Sequence, residues 1–105
     1  VHRHTCEAVT ALPNLNGPYD LVWIDADKLR TPAYVELCLN RTRIGGWILV
    51  DNVLWWGKVL PDHPAPDETA LALRKMTEDL ASRKSIRTTL MPMRDGLLMI
   101  EKLSD

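Results

Sequence analysis

Phenylalanine is missing from this chain, while tryptophan occurs four times, so indole rings carry much of the large-ring packing. Cysteine is scarce. Cys6 and Cys38 are too few for a disulfide framework and read as two reduced thiols of a cytoplasmic protein. No stretch of roughly twenty residues is free of charge, which excludes a helical bilayer span. Neither sign of charge dominates: 13 Lys and Arg face 14 Asp and Glu, for a net charge of -1. Nucleic-acid binders normally show a basic excess, and here the basic residues are scattered, so neither nucleic acid nor membrane is an expected partner. Val1-His2-Arg3-His4 leads into no apolar segment, so no signal peptide is read. The chain does not open on Met, and its start reads as a processed or excised end. Repeats and low-complexity tracts are absent too. What remains is 105 residues, 46% apolar and 26% charged, enough for one globular domain or part of one.

Residues 6–12 place Ala8, Val9 and Leu12 at roughly helical spacing. Turn chemistry comes next, from Asn14 to Pro18. Tyr19 to Asp25 then holds a continuous apolar run, Leu21 to Ile24, ended by a carboxylate, as suits a strand covered on both faces. Thr31-Pro32 reads as a helix start, with a hydroxyl N-cap and Pro at the first helical position. That helix covers 32–42 and is expected to stop at Gly45-Gly46. Trp47 to Asp51 repeats the apolar run closed by a carboxylate. Residues 57–66, with three prolines and a glycine, form a loop in which His63 is expected to be exposed. Asp67 can cap a helix over 67–83 that has Ala70, Leu73, Met76, Thr77 and Leu80 among its apolar positions. Segments 85–92 and 97–103 read as strands joined through Met93-Arg94-Asp95-Gly96, an antiparallel pair by its Asp-Gly turn. Strands alternating with helices argue for an α/β sheet with right-handed crossovers.

Ligands of open α/β sheets sit beyond the carboxyl ends of the strands. Two strands end there, in Asp25 and in Asp51-Asn52. If they are parallel neighbours, three oxygen donors share one rim. Mg²⁺ favours oxygen ligands and commonly takes only one or two carboxylates. Lys28 is near enough to enter the same site, where a neighbouring dication would favour its neutral, basic form. A strand-terminal Asp also serves as an ordinary cap or turn residue. Trp55-Trp56 reads as an aromatic wall for a planar acceptor or as packing, with one ring in and one out, since neighbours in an extended segment point opposite ways. Met91 and Met93 flank Pro92 and read as core filling. His2, His4 and Cys6 read as a solvated terminal strand.

Asp25-Ala26-Asp27-Lys28, Gly45-Gly46, Asp51-Asn52-Val53-Leu54-Trp55-Trp56-Gly57 and Asp95-Gly96-Leu97 together resemble the C-terminal half of the caffeoyl-CoA/catechol-type O-methyltransferases, from about Cys6 to Lys102. These enzymes depend on a cation and on S-adenosylmethionine. The resemblance implies a partial Rossmann-like class I methyltransferase fold, with parallel strands plus a C-terminal antiparallel pair, in a single incomplete domain. It further implies that Asp25, Asp51 and Asn52 bind the divalent cation, magnesium by preference, and that Lys28 deprotonates the acceptor. Asp27 and Ala8 match positions contacting S-adenosylmethionine. Asp25 and Trp56 fall at the acceptor, a small hydroxylated, catechol-like molecule.

Departures from the pattern are informative. The family's glycine-rich loop and ribose-holding acid lie upstream of Val1. Cys6 stands where Gly is usual, Ile44 where Pro precedes Gly-Gly, and Trp56 where a smaller polar residue is usual. With its first strands missing, segment 20–25 is expected to leave an apolar edge bare, inviting a homo-oligomer or a partner chain that supplies the strands. The alternative to the enzyme is a truncated, non-catalytic remnant or assembly subunit. A different Rossmann-like enzyme is a third option, although neither a nucleophile elbow nor a dinucleotide fingerprint is present.

Overall fold

A computed structural model describes all residues, Val1–Asp105. The chain runs through α1 (Ala8–Ala11), a 3-10 turn (Leu12–Asn14), β1 (Tyr19–Ile24), α2 (Thr31–Leu39), β2 (Thr42–Asp51), α3 (Glu68–Ser82), β3 (Ile86–Met91) and β4 (Leu97–Lys102). One sheet has the order β1-β2-β4-β3. β1 and β2 are parallel, while β4 is antiparallel to both of its neighbours. The expected alternation and the closing antiparallel pair are both present.

Period-two alternation decides where the core lies. Ile24, Ile48, Val50, Ile86, Leu98 and Ile100 point to one face, are buried, and form one cluster with Val35 and Cys38 of α2 and Leu73, Met76 and Leu80 of α3. Arg83, at the end of α3, forms ion pairs with Glu36 of α2 and Asp79 and so ties the two helices together. On the opposite face, Leu21, Trp23, Trp47, Leu49, Leu97 and Met99 share a surface on which none is buried: Leu21 and Trp23 are exposed and the other four half-buried. β1 is the sheet edge, as expected, with Leu21 59% and Trp23 57% exposed.

Several local expectations are corrected. The first helix is a single turn, and Leu12-Pro13 opens a 3-10 turn directly after it. Thr31 lies inside α2 and Arg30 is the N-cap; the Thr31 hydroxyl donates to the Asp27 carbonyl at 3.1 Å. α2 ends at Leu39, so Gly45-Gly46 does not stop it. The glycine pair lies within β2, where β1 advances two residues against five of β2, between Tyr19↔Thr42 and Leu21↔Trp47. Gly45 has φ +83°, and a Cβ on Gly46 would come within 2.7 Å of Thr42 Cγ2. Glycine here makes room for a bulge. Met93 is 53% exposed rather than core, and His63 is half-buried, its Nδ1 accepting from Ala65 N–H at 3.0 Å. No helix is long and apolar enough to cross a membrane.

Candidate active site

Because β1 and β2 are parallel and paired through Ile24↔Val50, Asp25 and Asp51 come directly after the last paired residues of neighbouring strands. Such strands lie about 4.8 Å apart. Beyond Asp25 the chain turns sharply into α2: Asp27 Oδ1 accepts from Leu29 N–H at 3.1 Å, and the Lys28 carbonyl accepts from Thr31 N–H at 3.2 Å. This turn swings Lys28 back over the strand ends. Its Nζ donates to the Asp51 carbonyl at 2.8 Å and to Asp25 Oδ1 at 3.3 Å, with the Lys28 side chain only 10% exposed and that of Asp25 58% exposed.

The ammonium therefore sits between the two strand tips, bound to the main chain of Asp51 and not to its carboxylate. Asp51 Oδ1 accepts from Asn52 N–H at 2.8 Å. Asp25 Oδ2, Asp51 Oδ2 and the Asn52 side-chain amide make no hydrogen bond within the chain. Three hard oxygen donors thus remain available on one rim, a donor set that fits a divalent cation holding several waters. No three His, Cys, Asp or Glu side chains gather anywhere, so a cation here would rely on the amide as its third ligand.

Asn52 takes φ 65°, a left-handed conformation that Asn tolerates better than most residues. Trp55 and Trp56 have φ 51° and 53°, so this segment is not extended. The expected split between the two rings occurs for a different reason. Trp55 packs against the core, and its indole N–H donates to Asp67 Oδ2 at 3.1 Å, whereas Trp56 is 72% exposed. The ring centroids stay 4.7 Å apart at an interplanar angle of 56°.

Asp67 does more than its sequence position indicates. It caps α3 by accepting from Ala70 N–H at 2.8 Å, and it also binds Trp55 and, at 3.2 Å, the Lys58 ammonium. These bonds, the one from Ala70 foremost, hold its carboxyl below the usual carboxylate range. Asp95 was legible only as a turn residue, yet its carboxylate accepts from Trp56 N–H at 2.7 Å. No spacing rule links either acid to the tryptophans.

Ala8 and Asp25 line the same apolar cleft of about 250 Å³, together with Leu12, Trp23 and Tyr34. Asp27 is not part of its wall; its carboxylate faces Leu29 N–H and the Arg30 guanidinium. A larger groove of about 400 Å³ runs between α2 and α3, lined by residues of those helices and none of the strand tips. The chemistry-bearing side chains, rather than cavity size, mark the candidate site.

A family model described as O-methyltransferase matches residues 3–103. The chain belongs to this O-methyltransferase family. It is 36% identical over 83 residues to a catechol O-methyltransferase of Mycobacterium tuberculosis, covering 78% of this chain and 37% of that protein. It is 32% identical over 107 residues to a caffeoyl-CoA O-methyltransferase of Stellaria longipes, covering 92% of this chain and 44% of the relative. The crystal structure of the O-methyltransferase TomG from Streptomyces achromogenes, in complex with S-adenosylmethionine, superposes with a TM-score of 0.82 at 31% identity, covering 93% of this chain and 48% of TomG. The fold is thus a partial class I methyltransferase fold, and the chain spans less than half the length of these three proteins.

Proposed function

We propose that this chain is the catalytic half of an S-adenosylmethionine-dependent, divalent-cation-dependent O-methyltransferase acting on a small hydroxylated, catechol-like acceptor. One observation carries the proposal. Asp25, Lys28, Asp51 and Asn52 meet at the ends of two parallel strands with oxygen donors free.

Asp25, Asp51 and Asn52 would hold the cation, magnesium by preference. When bound, it orients the acceptor and favours ionisation of a phenol whose ordinary pKa is about 10. Lys28 Nζ, fixed between the strand tips, would take the acceptor's proton as the neutral amine, having first given up its own proton to solvent. The acceptor oxygen then forms a bond to the donor methyl as the sulfonium–methyl bond breaks, and the donor leaves as the neutral thioether. The cleft beside Ala8 takes the flat base of the donor, with Asp27 close by in the adjoining turn, and exposed Trp56 offers a surface to an aromatic acceptor. Holding both reactants in place removes much of the entropic barrier. Two free thiols fit a cytoplasmic setting.

The bare edge of β1 favours a second reading, an assembly subunit that completes its sheet with another copy or a partner chain. The two readings separate in one experiment. The chain, alone and co-expressed with a partner that completes it, is assayed for methyl transfer from labelled donor to a catechol, with and without chelator and with Asp51→Ala. The enzyme reading expects transfer that is lost in both treatments. Transfer that survives both removes the cation from the mechanism, and no transfer in any combination leaves the assembly role.

A further inference from the structure

The Asp95-Gly96 turn has no part in the proposed reaction, yet it takes up nearly the whole main chain of the segment after β2. The Gly96 carbonyl accepts from Asn52 N–H at 2.9 Å and from Val53 N–H at 3.4 Å, and the Asp95 carbonyl accepts from Leu54 N–H at 2.9 Å. The Asp95 carboxylate accepts from Trp56 N–H at 2.7 Å. Two residues of the β3–β4 turn therefore bind four main-chain donors of the 52–56 segment. Contact is close as well as polar: a Cβ on Gly96 would lie 2.6 Å from Leu54 Cγ. Asn52, Trp55 and Trp56 all have positive φ, a conformation that non-glycine residues keep only when their surroundings hold them there.

We infer that Asp95 is a positioning residue. It fixes Trp56 through its carboxylate and, with its own carbonyl and that of Gly96, holds the backbone of the segment that begins at Asn52. All these bonds go to main chain, so the side chains of Asn52 and Trp56 stay free for a ligand. The Asn52 half of the inference rests on the cation site proposed above; the Trp56 half does not.

Two indoles held 4.7 Å apart at 56° should give an exciton couplet in circular dichroism, assignable by its loss in Trp56→Leu. The experiment compares wild type, Asp95→Ala and Asp95→Asn, whose amide oxygen can still accept from Trp56 N–H. It reads the couplet and, by calorimetry, Mg²⁺ affinity. Asp95→Ala should lose the couplet and weaken Mg²⁺ binding about tenfold, while Asp95→Asn keeps both within about twofold. A wild-type chain without the couplet, or an Asp95→Ala chain unchanged in both readouts, overturns the inference. A lost couplet with unchanged Mg²⁺ affinity overturns it for Asn52. If wild type binds no Mg²⁺ but the couplet still depends on Asp95, the cation site fails and the positioning of Trp56 stands. Should Asp95→Ala not fold, hydrogen exchange of the wild-type Trp56 amide decides: protection supports the bond to Asp95, and free exchange overturns it.

Discussion

The Lys28 ammonium lies 2.8 Å from the main-chain carbonyl of Asp51 and 3.3 Å from a carboxylate oxygen of Asp25, so one side chain joins the ends of two neighbouring strands. Lys28→Met keeps much of the aliphatic stem and removes the amine. Methyl transfer by the completed enzyme should fall by about 10²–10⁴, the usual contribution of a positioned acid or base. Mg²⁺ affinity should hold or rise, because a like charge beside the donors is gone. Rate and calorimetric affinity measured on the same preparation check both parts, and an unchanged rate would falsify the role of Lys28.

Asp67 links α3, Trp55 and Lys58, so its replacement should be felt at a distance. Asp67→Ala should lower the melting temperature and increase the mobility of the Trp55 ring, seen in fluorescence anisotropy. The pH dependence has a definite sign. The carboxyl titrates lower in the folded state than its unfolded value of about 3.9, so its stabilisation is complete above that pH and fades as the pH falls through the lower, folded value. Against Asp67→Asn, wild type should therefore have an advantage in melting temperature at pH 6 that disappears in strong acid.

Thiol labelling should separate the two cysteines. Cys6 is exposed, whereas Cys38 is buried in the core and its thiol is pushed up by that burial, only partly offset by Arg41. At neutral pH one equivalent of a maleimide should react quickly at Cys6 and a second only after unfolding. Fast modification of both thiols in the folded chain would contradict the packing of α2.

The edge strand should govern self-association. Leu21 and Trp23 lie exposed on β1, and a charged residue on such an edge discourages pairing with another chain. Leu21→Lys should shift the sedimentation profile of the isolated chain towards monomer and leave the core intact, since the Leu21 side chain contributes nothing to the buried cluster. Identical profiles for the two proteins would show that the edge is not the contact.

What the sequence made legible was local. Leu21–Ile24 and Trp47–Val50 are apolar runs closed by acids, and that pattern places Asp25 and Asp51 at strand ends without any knowledge of the partner strand. Pro32 and Asp67 marked helix starts by their own backbone chemistry. The misreadings have equally physical causes. A glycine pair serves a helix stop and a strand bulge alike, and only the five-against-two register with β1 decides between them. The left-handed turn of Trp55-Trp56 involves an acceptor 39 residues away, at Asp95, which no periodicity announces. Lys28 was readable as a neighbour of Asp25, but its bond to the carbonyl of Asp51 appears only once the strands are side by side.

The strand order has a consequence for biosynthesis. β4 is last in sequence but lies between β2 and β3, so the sheet cannot join into one piece until Leu97–Lys102 has emerged from the ribosome. Until then β3 has no partner strand, and the growing polypeptide holds β1 and β2 as a separate pair. Joining of the sheet therefore waits for β4, and stalling translation a few codons before that strand should trap a form open to proteolysis.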